Sequence, residues 1–190
     1  MTESIIAFTF KDVEKILAFG GSSSWDLNSK RASKCEYILC ARNSMSPLYI
    51  GNGIHREGFL IGKILGIEPT LEKIDPNRWL ITISEYAEIS VPEVWDKGRN
   101  PIRYIKTENL KNDLGIDVNK LEFQKMPKRD FNKIDIINKE TESYYAVNFS
   151  NRKSLEEDKT DEGITIQEAK EKLAIKFGVS VDNVEIIIRS

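Results

Sequence analysis

FLIGKILGIEP (Phe59–Pro69) and RWLITISEYAEISVP (Arg78–Pro92) decide how this chain folds. The first is a near-continuous apolar run, rich in β-branched residues and bracketed by Gly58 and Pro69, the pattern of a buried strand. In the second, Trp79–Ile83 reads as a strand that Tyr86–Val91 continues or bends. Asp75-Pro76-Asn77 between them is a turn signal, so an antiparallel hairpin with a loop longer than two residues is expected. Ser84-Glu85-Tyr86 interrupts the second run with polar groups. Such an interruption marks a bulge that aims a functional side chain inward, or an edge strand meeting water.

The block VWDKGRNPIRYIK (Val94–Lys106) follows directly. From Lys97 to Lys106 it holds four cations and no acid. Arginine pairs two-pronged with a phosphate or a guanine edge, asparagine matches an amide edge, and Trp or Tyr stacks on a base. Trp95, Arg99, Asn100, Arg103 and Tyr104 are therefore candidate ligand-binding residues. The alternative is a proline-bent loop whose Trp95 and Tyr104 plug the core and whose cations are solvated.

Further candidates lie outward from this centre. Thr9 to Leu17 carries a helix signal, with Thr9 as cap, and Gly20-Gly21 ends it. Gly20–Ser33 reads as a loop, in which Trp25 packs inward or walls a pocket. Glu36–Ala41 is a short strand. Arg42-Asn43-Ser44 ends it, either as a plain turn or with Arg42 and Asn43 touching a ligand at the sheet end. Ser84 joins the candidates as the polar break in the hairpin. His55, the one histidine, has no legible catalytic partner.

The rest is weaker. Short strands are expected near Lys120–Phe123 and Tyr144–Phe149. NRKSLEEDKTDEG (Asn151–Gly163) holds eight charged residues and one large apolar one, and reads as a solvated linker. Beyond it, Thr165 and Glu168 form a capping box for a helix with Ile166, Ala169, Leu173 and Phe177 on one face. A strand at Val184–Ile188 follows. The expected organisation is a domain over 1–150, a linker over 151–163 and a helix–strand unit over 164–190. That unit is too small to stand alone and must dock on the main domain, on a second copy in a homodimer or on a partner protein.

Composition limits the function. The 190 residues carry a net charge of -2, so no global basic field draws nucleic acid, and any such role needs a local patch. No apolar run approaches the ~20 residues of a membrane helix. The opening residues lack the pattern of a secretory signal, so a cytoplasmic protein without membrane contact is expected. Cys35 and Cys40 read as buried reduced thiols. If they begin and end one strand they face opposite sides, which argues against a shared metal. Neither a metal nor a cofactor is expected, and no motif names a reaction.

The order of features over Glu36–Pro127 resembles the PUA-like superfamily, with its EVE, ASCH and YTH branches. Phe59–Ile67 looks like a barrel-wall strand of those domains and Arg78–Ile83 like its hairpin partner. Trp95-Asp96-x-x-Arg99-Asn100 is similar to a W-D-x-x-R-N string of EVE domains. There it lies after the first strand, whereas here three strand signals precede it, and no pocket role is carried over. The resemblance implies an α+β fold: a small, mostly antiparallel β-barrel with flanking helices. It also implies recognition of a nucleobase, often modified, in a barrel cleft. Some ASCH relatives are instead nucleases or nucleoside amidohydrolases that use Lys, Thr or Tyr, and Glu. The lead expectation is non-catalytic binding of a nucleobase, nucleotide or nucleic acid. The alternatives are an ASCH-like enzyme using Lys or His55 with Glu57 or Glu85, and an interaction module built on the C-terminal unit.

Overall fold

A computed structural model describes residues 2–96, 98–157, 165–177 and 179–186. The chain divides into two compact units, Met1–Ala146 and Val147–Ser190.

The first unit is built on one mixed sheet. Its strands are β1 (Glu3–Thr9), β2 (Gly21–Trp25), β3 (Tyr37–Arg42), β4 (Gly58–Pro69), β5 (Trp79–Val91), β6 (Ile102–Lys106) and β7 (Gln124–Lys125). The order across the sheet is β2-β5-β4-β3-β1-β6, with β7 also pairing with β5. β1 and β3 run parallel, and the remaining pairings are antiparallel. The expected hairpin is β4 and β5. Register shifts at Gly58/Leu60, Lys63/Ile64 and Ile64/Gly66 bend it. Thr82 Oγ1 donates to the Gly66 carbonyl (2.9 Å) and Ser84 Oγ to the Lys63 carbonyl (3.3 Å) at these bends. The polar break at Ser84 therefore serves the bulged hairpin itself.

This bending curls the sheet into a half-barrel. Cys40 on β3 packs in one core with Trp25 on β2, although β5 and β4 separate the two strands. That contact identifies the concave face. Alternation along the strands sorts the apolar side chains accordingly. Ile5, Ala7, Ile38, Cys40, Leu60 and Ile81 fill the concave side, while Ile6, Leu39, Ala41, Ile61 and Ala87 form a second core on the convex side. Each fully buried Ile or Leu contributes about 1.5–3 kcal/mol.

Several local expectations are corrected. Glu3–Thr9 supplies an inner strand of the sheet where no strand was expected. Thr9 stays in β1 opposite Arg42, and the helix α1 (Val13–Phe19) is capped by Asp12, whose carboxylate accepts from Lys15 N at 2.8 Å. Gly20 ends α1 with φ 68°, where a side chain would be strained. The Gly20–Trp25 stretch is no flexible loop. A Cβ on Gly21 would run into the Ile81 carbonyl, so small residues are what let β2 lie on β5. Cys35 precedes β3, at the end of the short helix α2 (Ser29–Ala32), and both cysteines face the concave core instead of opposite sides.

Downstream, helix α3 (Glu108–Asn112) forms where Thr107–Leu110 reads as a helical turn, while a 3-10 turn at Val118–Lys120 takes the start of the strand expected at Lys120–Phe123, and the next strand is β7. Helix α4 (Phe131–Glu157) absorbs the strand expected at Tyr144–Phe149 and the first half of the expected linker. Asp130 caps it by accepting from Lys133 N at 3.0 Å. Ile134 and Ile137, one turn apart, pack with Phe19 and Leu80, and this tertiary burial favours helix over the weak strand pattern. The remainder of that linker, residues 158–163, lies outside the described residues.

In the second unit, Thr165 and Glu168 form the expected capping box: Thr165 N donates to Glu168 Oε2 (2.8 Å) and Glu168 N to Thr165 Oγ1 (3.2 Å). Helix α5 (Ile166–Phe177) follows, then a 3-10 turn at Val181–Asn183. Val184–Ile186 is not a strand, and the rest of that expected strand lies outside the described residues. Among the described residues no helix is long and apolar enough to cross a membrane. The architecture is α+β: a curled mixed sheet forming a half-barrel, with several helices.

Candidate functional site

The half-barrel sends the sequence candidates to several places. Trp25 is 6% exposed in the concave core, its indole N–H donating to Ser22 Oγ at 3.1 Å. Tyr104 packs on the same core. Its ring lies under the Arg31 guanidinium at 4.0 Å, and burial, reinforced by the Cys35 thiol, pushes its hydroxyl pKa up. Trp95 is 3% exposed on the convex side, stacked on Phe8 with ring centres 5.0 Å apart. Arg103 covers it at 4.8 Å and pairs with Asp96. Asn100 is exposed and uses its side-chain oxygen to accept from Ile102 N at 3.0 Å, starting β6. Arg99 is exposed. Trp25 and Trp95 thus plug opposite faces of one sheet and do not share a hollow. A Trp in a mixed aromatic and basic loop is readily taken up by whichever core lies beneath it. Lys97 lies outside the described residues.

Arg42 and Asn43 are placed differently. They stand where parallel strands β1 and β3 end: Thr9 faces Arg42, and Asn43 N donates to the Thr9 carbonyl at 2.7 Å. In register with Ile38 and Cys40, the Arg42 side chain points to the concave face, and its guanidinium lies over the Phe59 ring at 4.3 Å. Nη1 donates to Tyr49 Oη (3.3 Å), and Nε is 3.5 Å from Glu57 Oε2. That Nε is buried without a hydrogen-bond partner, and the side chain is 14% exposed. Glu57 in turn accepts from Ser90 Oγ at 2.7 Å.

Sequence reasoning missed a second cluster beside this strand end. Lys11, two residues beyond Thr9, is 3% exposed. Its Nζ donates to the Ser23 carbonyl at 2.5 Å and pairs with Glu72 Oε1 at 2.9 Å. Ser23 Oγ donates to the same carboxylate oxygen at 2.6 Å. The neighbouring Ser24 Oγ is buried without a partner. The cluster joins the end of β1, strand β2 and the loop after β4. No local pattern announces it, because its members are dispersed through the chain and each looks like an ordinary surface residue.

Of the catalytic pairs read from sequence, the structure brings a lysine, Lys63, to Glu85. His55 meets the edge of Phe8 at 5.4 Å on the convex side, its Nδ1 buried without a partner. Glu57 is turned to Arg42 and Ser90, and Glu85 is held by Lys63, whose pKa that bond raises. Among the described residues no three His, Cys, Asp or Glu are grouped as metal ligands. The mouth of the half-barrel, where β1 and β3 end, sets Arg42, Lys11 and Ser24 into an apolar surround. No family model, curated protein or solved structure matches this chain.

Proposed function

We propose that this protein is a PUA-like binding module that takes a nucleobase, modified or not, at the mouth of its half-barrel. The base would be free, part of a nucleotide, or part of a nucleic acid. One observation carries the reading: Arg42 and Glu57 stand side by side at the concave strand end, with an unmet donor at Arg42 Nε. A fixed guanidinium next to a carboxylate offers donors and acceptors together, the pattern a base edge complements. Half-buried rings nearby, Tyr49 and Phe10, supply stacking surface worth ~1–3 kcal/mol per base. The binding set then shifts to Arg42, Asn43, Tyr49 and Glu57. Two free, buried thiols fit a reducing, intracellular setting.

Calorimetric titration with the four nucleosides and their nucleotides tests this. Arg42→Ala should weaken binding at least about tenfold. The absence of heat at millimolar ligand in low salt, with the wild-type protein, would sink the reading.

A second reading rests on the Ser23–Glu72–Lys11 cluster. A hydroxyl hydrogen-bonded to a carboxylate, with an ammonium on that carboxylate, is a nucleophile with a base and a charge partner. It suits an ASCH-like hydrolase of acylated nucleosides. Ser23 is fully buried, so its contact with Glu72 must open to admit substrate. Release of the acyl group by the wild-type chain and not by Ser23→Ala would favour this reading over pure binding.

A further inference from the structure

The cations at the mouth are matched by carboxylates. Lys11 pairs with Glu72 at 2.9 Å and Arg42 stands 3.5 Å from Glu57. Arg78, which reaches the Ser24 carbonyl at 3.5 Å, pairs with Asp75 at 2.6 Å. The carboxylate of Asp12 is committed to capping α1. An arriving phosphate finds none of these three cations uncompensated, and it would meet the carboxylates that already hold them. The unmet groups are neutral in their demand: the Arg42 Nε–H needs one acceptor, and Ser24 Oγ can give or accept one hydrogen bond.

We infer that the mouth selects an uncharged ligand, a free base or the base of a nucleoside, and makes no contact with phosphate. This rests on the base-binding reading above. Arg42 Nε is buried beside Glu57, so the Glu57 carboxylate turns aside as a carbonyl oxygen of the ligand meets Nε and a ring or exocyclic N–H meets the carboxylate. Charge balance keeps the site from acting as a general anion trap. Specificity then comes from the order of donors and acceptors along the base. A nucleotide enters only with its phosphate turned to solvent, gaining nothing from it.

The test is calorimetry on the full chain with adenosine, cytidine, guanosine, uridine and their 5′-monophosphates, at about 20 and about 200 mM salt. The tightest nucleoside should bind no more weakly than its own monophosphate, with affinity changing less than about twofold between the two salts. Glu57→Gln removes a compensating charge and should swing the preference toward the monophosphate by about tenfold. A wild-type preference for the monophosphate of about tenfold or more, falling steeply with salt, overturns the inference and leaves the base-binding reading standing. Binding by no nucleoside or nucleotide overturns both.

Discussion

Gly53 lies flat on the guanidinium of Arg42: a Cβ added to Gly53 would stand 2.5 Å from both Cδ and Cζ of the arginine. The Phe59 ring packs on the same guanidinium, its centre 4.3 Å from Cζ. Tyr49 Oη ties Gly53 and Arg42 together, accepting from Gly53 N at 2.8 Å and from Arg42 Nη1 at 3.3 Å. A long, flexible side chain is thereby fixed before any ligand arrives, which lowers the entropic cost of recognition.

Gly53→Ala should expel the guanidinium from this packing. The expected cost in stability is about 1–3 kcal/mol, as for an overpacked site, because the arginine or the loop must shift. Base affinity should fall together with that of Arg42→Ala. Chemical denaturation and calorimetry on both variants check this. Unchanged affinity in Gly53→Ala would show that the fixed plane is not what ligand uses.

Lys11→Met should destabilise the fold by about 3–5 kcal/mol, since it strands the Glu72 carboxylate and the Ser23 carbonyl in a buried place. Adding Glu72→Gln should restore part of the loss by removing the unpaired charge. Urea midpoints of the two single variants and the double variant give the coupling. Strict additivity would mean that the pair does not act as a unit.

The Val94–Lys106 block should behave as structure. Trp95→Ala should cost about 3–5 kcal/mol through the cavity it leaves against Phe8. Arg99→Ala and Arg103→Ala should leave base affinity within about twofold, in contrast to Arg42→Ala. Loss of binding in Arg99→Ala or Arg103→Ala would return the site to this block.

Both thiols are raised from 9.0, Cys35 to about 11 and Cys40 to about 12, chiefly by burial. The charge of Glu3 adds to the rise at Cys35, and a hydrogen bond with Ser22 opposes it at Cys40. A pKa raised in the folded state gives stability that is complete below 9.0. It is lost as pH climbs from there toward 11, because the unfolded chain releases its thiol protons first. Denaturation midpoints should fall over that window, and less so in Cys35→Ala with Cys40→Ala. At pH 8 the native thiols should resist alkylation and react once urea is added.

The hairpin, its bulged polar break and the capping box at Thr165 were legible because each is written in consecutive residues. Arg42 and Asn43 were placed at a strand end for the same reason. β2 was not, since Gly-Ser-Ser-Ser reads as freedom until the Ile81 carbonyl beside it shows why no larger residue fits. β1 was missed because its short apolar run ends in a capping signal that Asp12 supplies more strongly than Thr9. The Lys11 cluster was invisible, as Ser23 and Glu72 lie 49 positions apart and meet only when the sheet curls.

The place of β1 in the sheet bears on how the chain acquires its shape during synthesis. Its neighbours are β3 and β6, and its Ser4 hydroxyl is joined to that of Thr107, 103 positions later. The first strand of this sheet to leave the ribosome must therefore wait, with one edge bare, until the last of its two flanking strands has emerged. Such distant closure slows folding and favours one concerted step over piecewise assembly. A chain that stopped short of Ile102 would leave that edge open to pairing with other molecules.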